Sequence, residues 1–383
     1  MATIHYLTQI EFDFGAVRML PSECQRIGIS NPLIVTDAGV RAVGLVDRAI
    51  AALGDLRYTV FDQTPSNPTE SAVRAASEMY RQYRCDGLIA VGGGSSMDLA
   101  KGVAILATHD EPLTCYATVE GGSAKISNRV APMIAVPTTA GTGSEAARGA
   151  IIIVDDGRKL GFHSWNLMPK SAILDPELTL GLPPLLTAAT GMDAITHCIE
   201  AYMSSSVNPP ADALALDGLG RGWPNILRAV QDGTDREARW QMMCTSMEAA
   251  LAFQKGLGCV HSLSHAAAGV NPRLHHGTLN AVLLPAVIRF NAPVDSIQRE
   301  NRLQRIAQTI GLPGCDRHGT ELAEAIRESN VKIGLPAGLS EMGVSRNDFD
   351  KIILSAMVDH SHFTNPRLAT AEDYREMLEA SLI

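Results

Sequence analysis

The sequence predicts an α/β domain over residues 1–183 followed by an all-helical domain over residues 184–383. Three observations carry this expectation. A chain of 383 residues is longer than one hydrophobic core usually supports. Its first half alternates short apolar runs with stretches of helical spacing, the pattern of a parallel sheet with crossover helices. Beyond Leu182-Pro183-Pro184 the strand signals fade, and long apolar stretches at helical spacing take over.

NPLIVTD is a short apolar run behind a turn signal and reads as a strand, with helical spacing after it through Val46 and Ile50. LRYTVFD reads as a second strand and Glu70 to Tyr83 as a helix. GLIAVGGG is a strand running into glycines, and SSMDLAKGVAILAT is a helix that opens on serine. PMIAVPTTAGTGSE is a strand entering a second Gly/Thr loop. AIIIVDD and RKLGFHS suit an added strand or hairpin, and SAILDPELT a last strand with its turn. In the second half Asn208-Pro209-Pro210, Gly233 and Asn271-Pro272 punctuate the helices. No linker separates the halves, so the domains are expected to pack directly, and ligands favour such clefts.

Composition narrows the class of function. Apolar residues make up 46% and charged residues 19%, which fits a globular chain. No apolar run approaches a membrane span, so no membrane partner is expected. The net charge of −9 argues against a nucleic-acid partner, because phosphate binding needs concentrated Lys and Arg. The opening MATIHYLTQIEFDFG lacks the basic-then-apolar layout of a signal peptide, so a cytoplasmic chain is expected. Seven scattered cysteines with no CxxC spacing suggest buried reduced thiols rather than disulfides or a cysteine zinc site. Small-molecule chemistry remains.

Two glycine-bearing loops follow predicted strands. Gly92-Gly93-Gly94-Ser95-Ser96-Met97-Asp98 leads into a helix, whose free N–H groups and positive dipole end suit a phosphate. By itself such a run is more often a tight strand–helix turn. A second loop, Pro137-Thr138-Thr139-Ala140-Gly141-Thr142-Gly143-Ser144-Glu145, makes a dinucleotide the better reading. Asp37 ends an early strand, where it suits either an adenosine ribose or a helix N-cap. Asn67 lies in the turn PSNPT and is a further candidate for cofactor contact.

Histidines point to a metal. Asp193 and His197 stand four apart in TGMDAITHCIEAY, and His261 and His265 repeat that spacing in GCVHSLSHAAAG. Residues so spaced share one helix face. His276 precedes Gly277 at another helix start. A single such pair is commonly a local hydrogen bond, but three elements together suit a borderline divalent ion such as Fe²⁺, Zn²⁺, Co²⁺ or Mn²⁺.

GGGSSMD, PTTAGTGSE, GMDAITHCIEAY, GLGCVHSLSHA, HHGTLNAVLLP and DHSHFTNPR together resemble the iron-containing (group III) alcohol dehydrogenases, in the order of that family. The resemblance implies a dehydroquinate synthase-like fold: a dinucleotide domain, then a helical metal domain. It implies NAD(H)-linked oxidation of an alcohol or reduction of an aldehyde, with a metal, Fe²⁺ or another divalent ion, as Lewis acid. A homodimer is expected. Carried over by position, the metal ligands are Asp193, His197, His261 and His276. His265 is the non-ligand histidine beside the nicotinamide, placed to relay a proton. Asp37, Asn67, Gly93, Gly94, Ser95, Asp98, Thr138, Thr139, Thr142, Ser144, Lys159 and Leu178 match the cofactor-contacting set. Two departures stand out. Ala266 replaces a common Pro, and Ser361 replaces a common Cys that is not a ligand. His276 is preferred over its neighbour His275 because it precedes the Gly of the HG motif.

For the substrate, Arg148 follows the second loop closely and could pair with a carboxylate. The alternative is a salt bridge to Glu145 or Asp155. His360 is a second candidate, with His362 and Arg367 behind it. Within the family, ARGAIII, RKLGFHSW, LAFQKGLGCVHSLSH and LHHGTLNAVLLP are most similar to the 4-hydroxybutyrate dehydrogenases. A short ω-hydroxy acid interconverted with succinate semialdehyde is the implied chemistry. Lactaldehyde, phosphonate or sulfonate aldehydes and primary alcohols are alternatives. A glycerol dehydrogenase, a dehydroquinate synthase-type cyclase, a metal-free maleylacetate reductase-like enzyme and a non-catalytic cofactor-binding relative are rival readings. The intact ligand set and glycine loop argue against them.

Overall fold

The computed structural model describes residue 4, residues 8–110 and residues 112–383. It divides into two compact units. One runs up to Thr139 and continues with Gly143–Thr179; the other is Leu180–Ile383 together with Ala140–Thr142.

The first unit is a six-stranded, wholly parallel sheet with a separate hairpin. Its strands are β1 (Gln9–Phe12), β2 (Pro32–Val35), β3 (Thr59–Phe61), β4 (Gly87–Gly92), β5 (Met133–Pro137) and β8 (Ser171–Leu174), in the order β1-β8-β5-β4-β2-β3. The hairpin pairs β6 (Gly149–Ile153) with β7 (Lys159–His163) in antiparallel register, Ile151 opposite Gly161. Helices α1 (Leu20–Ile27), α2 (Ala38–Ala42), α3 (Leu45–Leu53), α4 (Glu70–Gln82) and α5 (Gly94–Leu106) fill the crossovers. Strands β2, β4, β5 and β8 are buried along their whole length, as parallel strands covered on both faces must be. Their side chains alternate between two cores. Leu33, Val35, Leu88, Ala90, Met133 and Ala135 pack with residues of α4 and α5. Ile34, Ile89, Val91, Ile134 and Val136 pack with residues of α1 and α3.

The chain leaves β2 towards β3 on one side and resumes at β4 on the other. That reversal opens a crevice at the carboxyl ends of β2 and β4, the favoured ligand position in an open α/β sheet.

Among the described residues the second unit contains helices and loops and no strand. Its helices are α6 (Pro184–Met203), α7 (Pro209–Gln231), α8 (Arg236–Ala252), α9 (Cys259–Val270), α10 (His276–Asn291), α11 (Asp295–Arg299), α12 (Arg302–Thr309), α13 (Thr320–Lys332), α14 (Phe349–Ala356) and α15 (Ala371–Ala380). Helix α6 is buried from Thr187 to Met203 and packs against α7, α8 and α10, so it is the axis of the unit. An apolar surface all round a helix requires such a central place. Among the described residues no helix is long and apolar enough to cross a membrane. All seven cysteines are free, and five of them are buried.

Two details differ from the sequence reading. The helical stretch through Val46 and Ile50 is two helices, because Gly44 takes a left-handed conformation (φ 77°) between α2 and α3. Neither strand β1 nor helix α1 is among the elements read from the sequence; β1 is a short edge strand held by β8 alone.

Candidate active site

Most residues matched to a cofactor gather at the carboxyl ends of the parallel strands. Asp37 follows β2, Gly93 to Ser95 follow β4, and Thr138 and Thr139 follow β5. Asp37 caps α2, its Oδ1 accepting from the Val40 N–H at 2.9 Å. Its Oδ2 accepts from the Ser96 hydroxyl at 3.4 Å, which ties the β2 end to α5. The amino terminus of α5 has no side-chain cap, so its first N–H groups are open to an anion. Ser95 Oγ donates to the Ser66 carbonyl (2.5 Å), and Lys159 Nζ donates to Asn67 Oδ1 (3.0 Å). The hairpin thereby reaches the turn that carries Asn67.

Asp98 and Ser144 mainly serve one another. Asp98 accepts from Ser144 Oγ at 2.7 Å and from the Ile151 N–H at 2.9 Å. Lys101, fully buried, donates to Ser144 Oγ (2.8 Å), to the Ser144 carbonyl (2.7 Å) and to the Gly149 carbonyl (2.7 Å). Burial pushes its ammonium down to about 8. Lys101 thus fastens the second Gly/Thr loop to α5, a role its place in an apolar helix conceals. Beside it Glu145 is buried, and its Oε1 has no partner among the described residues. Burial pushes its carboxyl up to about 7. Leu178 is 2% exposed and packs in the core with Ile34 and Ile173.

The four residues matched to metal ligands converge within the helical unit. Asp193 and His197 come from α6, His261 from α9 and His276 from the first turn of α10. Asp193 Oδ1 lies 3.9 Å from His197 Nε2, 3.7 Å from His261 Nε2 and 3.6 Å from His276 Nε2. Donors around a tetrahedral ion at about 2.1 Å would stand about 3.4 Å apart, so a small contraction would seat one. Burial alone would raise the Asp193 carboxyl, but the surrounding imidazoles hold it well below the usual range. Burial pushes His197 down to about 4, leaving a neutral ring with a free lone pair. Burial opposes a charged His261, yet the Asp193 and Glu200 carboxylates push it up to about 9. A proton and a cation therefore compete for this cluster.

Asn280, missed in the sequence, completes the floor of the cluster. Its Nδ2 lies 2.7 Å from Asp193 Oδ1 and 3.1 Å from both His261 Nε2 and His276 Nε2, while its buried Oδ1 has no partner among the described residues. One amide has two hydrogens for three acceptors. The Asp193 carboxylate and three ring nitrogens converge on one point, a donor set that suits a divalent ion once His261 releases its Nε2 proton. Gly277 makes the convergence possible. A Cβ there would stand 2.2 Å from the Ala189 carbonyl oxygen, so only glycine lets α10 meet α6 this closely. His275 is exposed, the N-cap residue of α10 just ahead of His276.

His265 lies beside this group, its ring stacked 5.1 Å from that of His276. Its Nδ1 is 3.0 Å from Asp359 Oδ2, which leaves Nε2 for another partner. His360 stacks on His265 at 5.7 Å and stands 3.6 Å from Asp359 Oδ1. Burial would raise Asp359, but His265 and His360 hold it far below the carboxylate range.

Arg148 forms no salt bridge with Glu145 or Asp155; Asp155 pairs with Arg74 instead (2.8 Å). The guanidinium lies over the Trp165 ring at 4.5 Å, and burial pushes its pKa down. His362 and Arg367 are taken up by packing. His362 is buried with Nδ1 2.9 Å from Tyr374 Oη, and Arg367 stacks on Phe290 and pairs with Asp373 at 3.3 Å.

These sites sit in a chain whose likeness to known proteins runs end to end. Residues 8–176 match the model of the iron-containing alcohol dehydrogenases, and residues 187–382 that of the C-terminal region of the same family. A 4-hydroxybutyrate dehydrogenase from Cupriavidus necator is 61% identical over 386 residues, covering all of both chains. A crystal structure of a 1,3-propanediol oxidoreductase superposes with a TM-score of 0.92 at 34% identity, again over all of both chains. The sulfoacetaldehyde reductase of Bifidobacterium kashiwanohense, solved with NAD⁺, gives 0.88 at 27% identity over 100% of this chain and 98% of that one. With both regions matched and a full-length relative at this identity, the chain belongs to the iron-containing alcohol dehydrogenase family.

Proposed function

We propose that this enzyme interconverts 4-hydroxybutyrate and succinate semialdehyde with NAD⁺/NADH. Residues 1–183 would hold the cofactor and residues 184–383 the metal. The observation that carries the substrate is Arg148: a half-buried guanidinium on an indole face with no ion-pair partner among the described residues. A partly buried cation without a counter-ion carries a desolvation cost, and a substrate carboxylate would offset it. The full-length likeness to a 4-hydroxybutyrate dehydrogenase supports the same reading.

Asp193, His197, His261 and His276 would hold the ion, Fe²⁺ by family and Zn²⁺ by equal chemical fit. Once bound, the ion supplies Lewis acidity at the carbinol oxygen, and NAD⁺ supplies the hydride acceptor. Oxidation of the alcohol yields the aldehyde, NADH and one proton. His265 is the group for that proton: Asp359 fixes its Nδ1 and frees Nε2 to exchange it, with His360 next in line. Asp37 favours NAD⁺ over its 2′-phosphorylated form, because its carboxylate repels a phosphate. A cytoplasmic homodimer is the assembly we propose.

The test is selective. Arg148→Met should lower kcat/KM for 4-hydroxybutyrate about ten- to a hundred-fold more than for uncharged 1-butanol, as loss of a charge-assisted pair predicts. An equal loss for both alcohols would make Arg148 structural. Faster turnover of sulfoacetaldehyde than of succinate semialdehyde would move the substrate to the sulfonates.

A further inference from the structure

We propose that Glu200 is a positioning residue for the divalent cation: one buried carboxylate caps α9 and also fixes which nitrogen of His261 carries the proton. The proposal rests on the ligand set given above. Glu200 follows Asp193 and His197 on the same face of α6, at the spacing of successive turns. It is 2% exposed. Its Oε1 accepts from the Val260 N–H at 2.7 Å. Its Oε2 lies 2.6 Å from His261 Nδ1 and 3.4 Å from the His261 backbone nitrogen.

These contacts divide the labour within one side chain. Val260 and His261 stand in the first turn of α9, where backbone N–H groups lack helical partners. The N-cap residue, Gly258, has no side chain to offer them, and Glu200 reaches across from α6 to do so. Glycine is required at 258 for space. A Cβ there would stand 2.9 Å from Glu200 Oε1 and 2.5 Å from Asn365 Oδ1. The second oxygen holds a proton of His261 on Nδ1, so Nε2, the nitrogen that faces Asp193, is the one left to exchange its proton for a cation. The helix that carries His261 and the proton on its ring are thus set by one group on the helix that carries two other ligands.

A carboxylate can do both things because it only accepts. Glutamine has the same shape but one acceptor and one donor. In Glu200→Gln the amide N–H₂ must face either the Val260 N–H or His261 Nδ1. The first orientation opposes two donors at the helix cap. The second drives the His261 proton to Nε2 and removes the lone pair.

The experiment is zinc affinity of the full chain, stripped and reloaded, by competition with a chromophoric chelator. Circular dichroism and a cooperative melt of the metal-free protein check the fold. Wild type should hold one Zn²⁺ per chain. Glu200→Gln should stay folded and bind it about ten- to a hundred-fold more weakly, the usual effect of losing a group behind a ligating histidine. Gly258→Ala, which leaves the carboxylate present but displaces it, should weaken binding in the same direction and decides the matter if Glu200→Gln does not fold. A folded variant of either kind with wild-type zinc affinity would overturn the role of Glu200 alone. A wild-type chain without stoichiometric zinc, or His276→Ala binding as tightly as wild type, would overturn the ligand set and this proposal with it.

Discussion

His275 and His276 are adjacent in sequence but not in environment. Only His276 directs Nε2 at Asp193, while His275 is exposed at the helix start. His276→Ala should therefore abolish stoichiometric metal by elemental analysis, and His275→Ala should retain it. Glu145 offers a second test at this scale. Its folded pKa of about 7 lies above the ordinary 4.5. Between those values the folded chain keeps a proton that the unfolded chain has released, so stability falls as pH rises through that window. Glu145→Gln should flatten the fall, with its advantage over wild type in urea midpoint larger at pH 8 than at pH 4. An advantage independent of pH would mean that the buried carboxyl is not the source.

At the scale of elements, the Asp193, His197, His261 and His276 cluster depends on how closely three helices approach. Gly277→Ala forces a methyl group against the Ala189 carbonyl and should cost about 1–3 kcal/mol. It should also weaken metal binding, since α10 must withdraw from α6. Gly269→Ala is the control. It lies in α9 with no atom within 4 Å of its added Cβ, and should stabilise the chain by about 0.4–1 kcal/mol. Equal melting temperatures for the two variants would remove the packing argument for the HG motif.

For the whole molecule, each ligand should protect its own unit from hydrogen exchange. Zinc should slow exchange in α6, α9 and the start of α10, and NAD⁺ in the loops after β4 and β5. The reverse pattern would exchange the roles given to the two units. The fold class was legible in the sequence because strand–helix alternation stops near Pro183-Pro184, and i, i+4 spacing places Asp193 beside His197 on one helix face. Other parts were not legible. Glu200 and Asn280 look like ordinary helical polar residues until α9 and α10 are brought against α6. Lys101 sits in an apolar helix, and nothing nearby in sequence foretells three acceptors drawn from β6 and the loop before it. Strand β1 alternates polar and apolar residues over only four positions, too few to place it beside β8. Each depends on long-range contact, which a periodic pattern does not encode.

The stacking of Arg148 on Trp165 has an optical consequence. A guanidinium over an indole perturbs its excited state, and an anion seated on that guanidinium would change the perturbation. The chain has only two other tryptophans, Trp223 and Trp240, both in the helical unit. With those replaced by phenylalanine, Trp165 becomes the single tryptophan, read by excitation near the red edge of the indole band where the seven tyrosines do not absorb. Its emission should shift as 4-hydroxybutyrate is titrated in the absence of turnover, stay constant with 1-butanol, and lose the response in Arg148→Met.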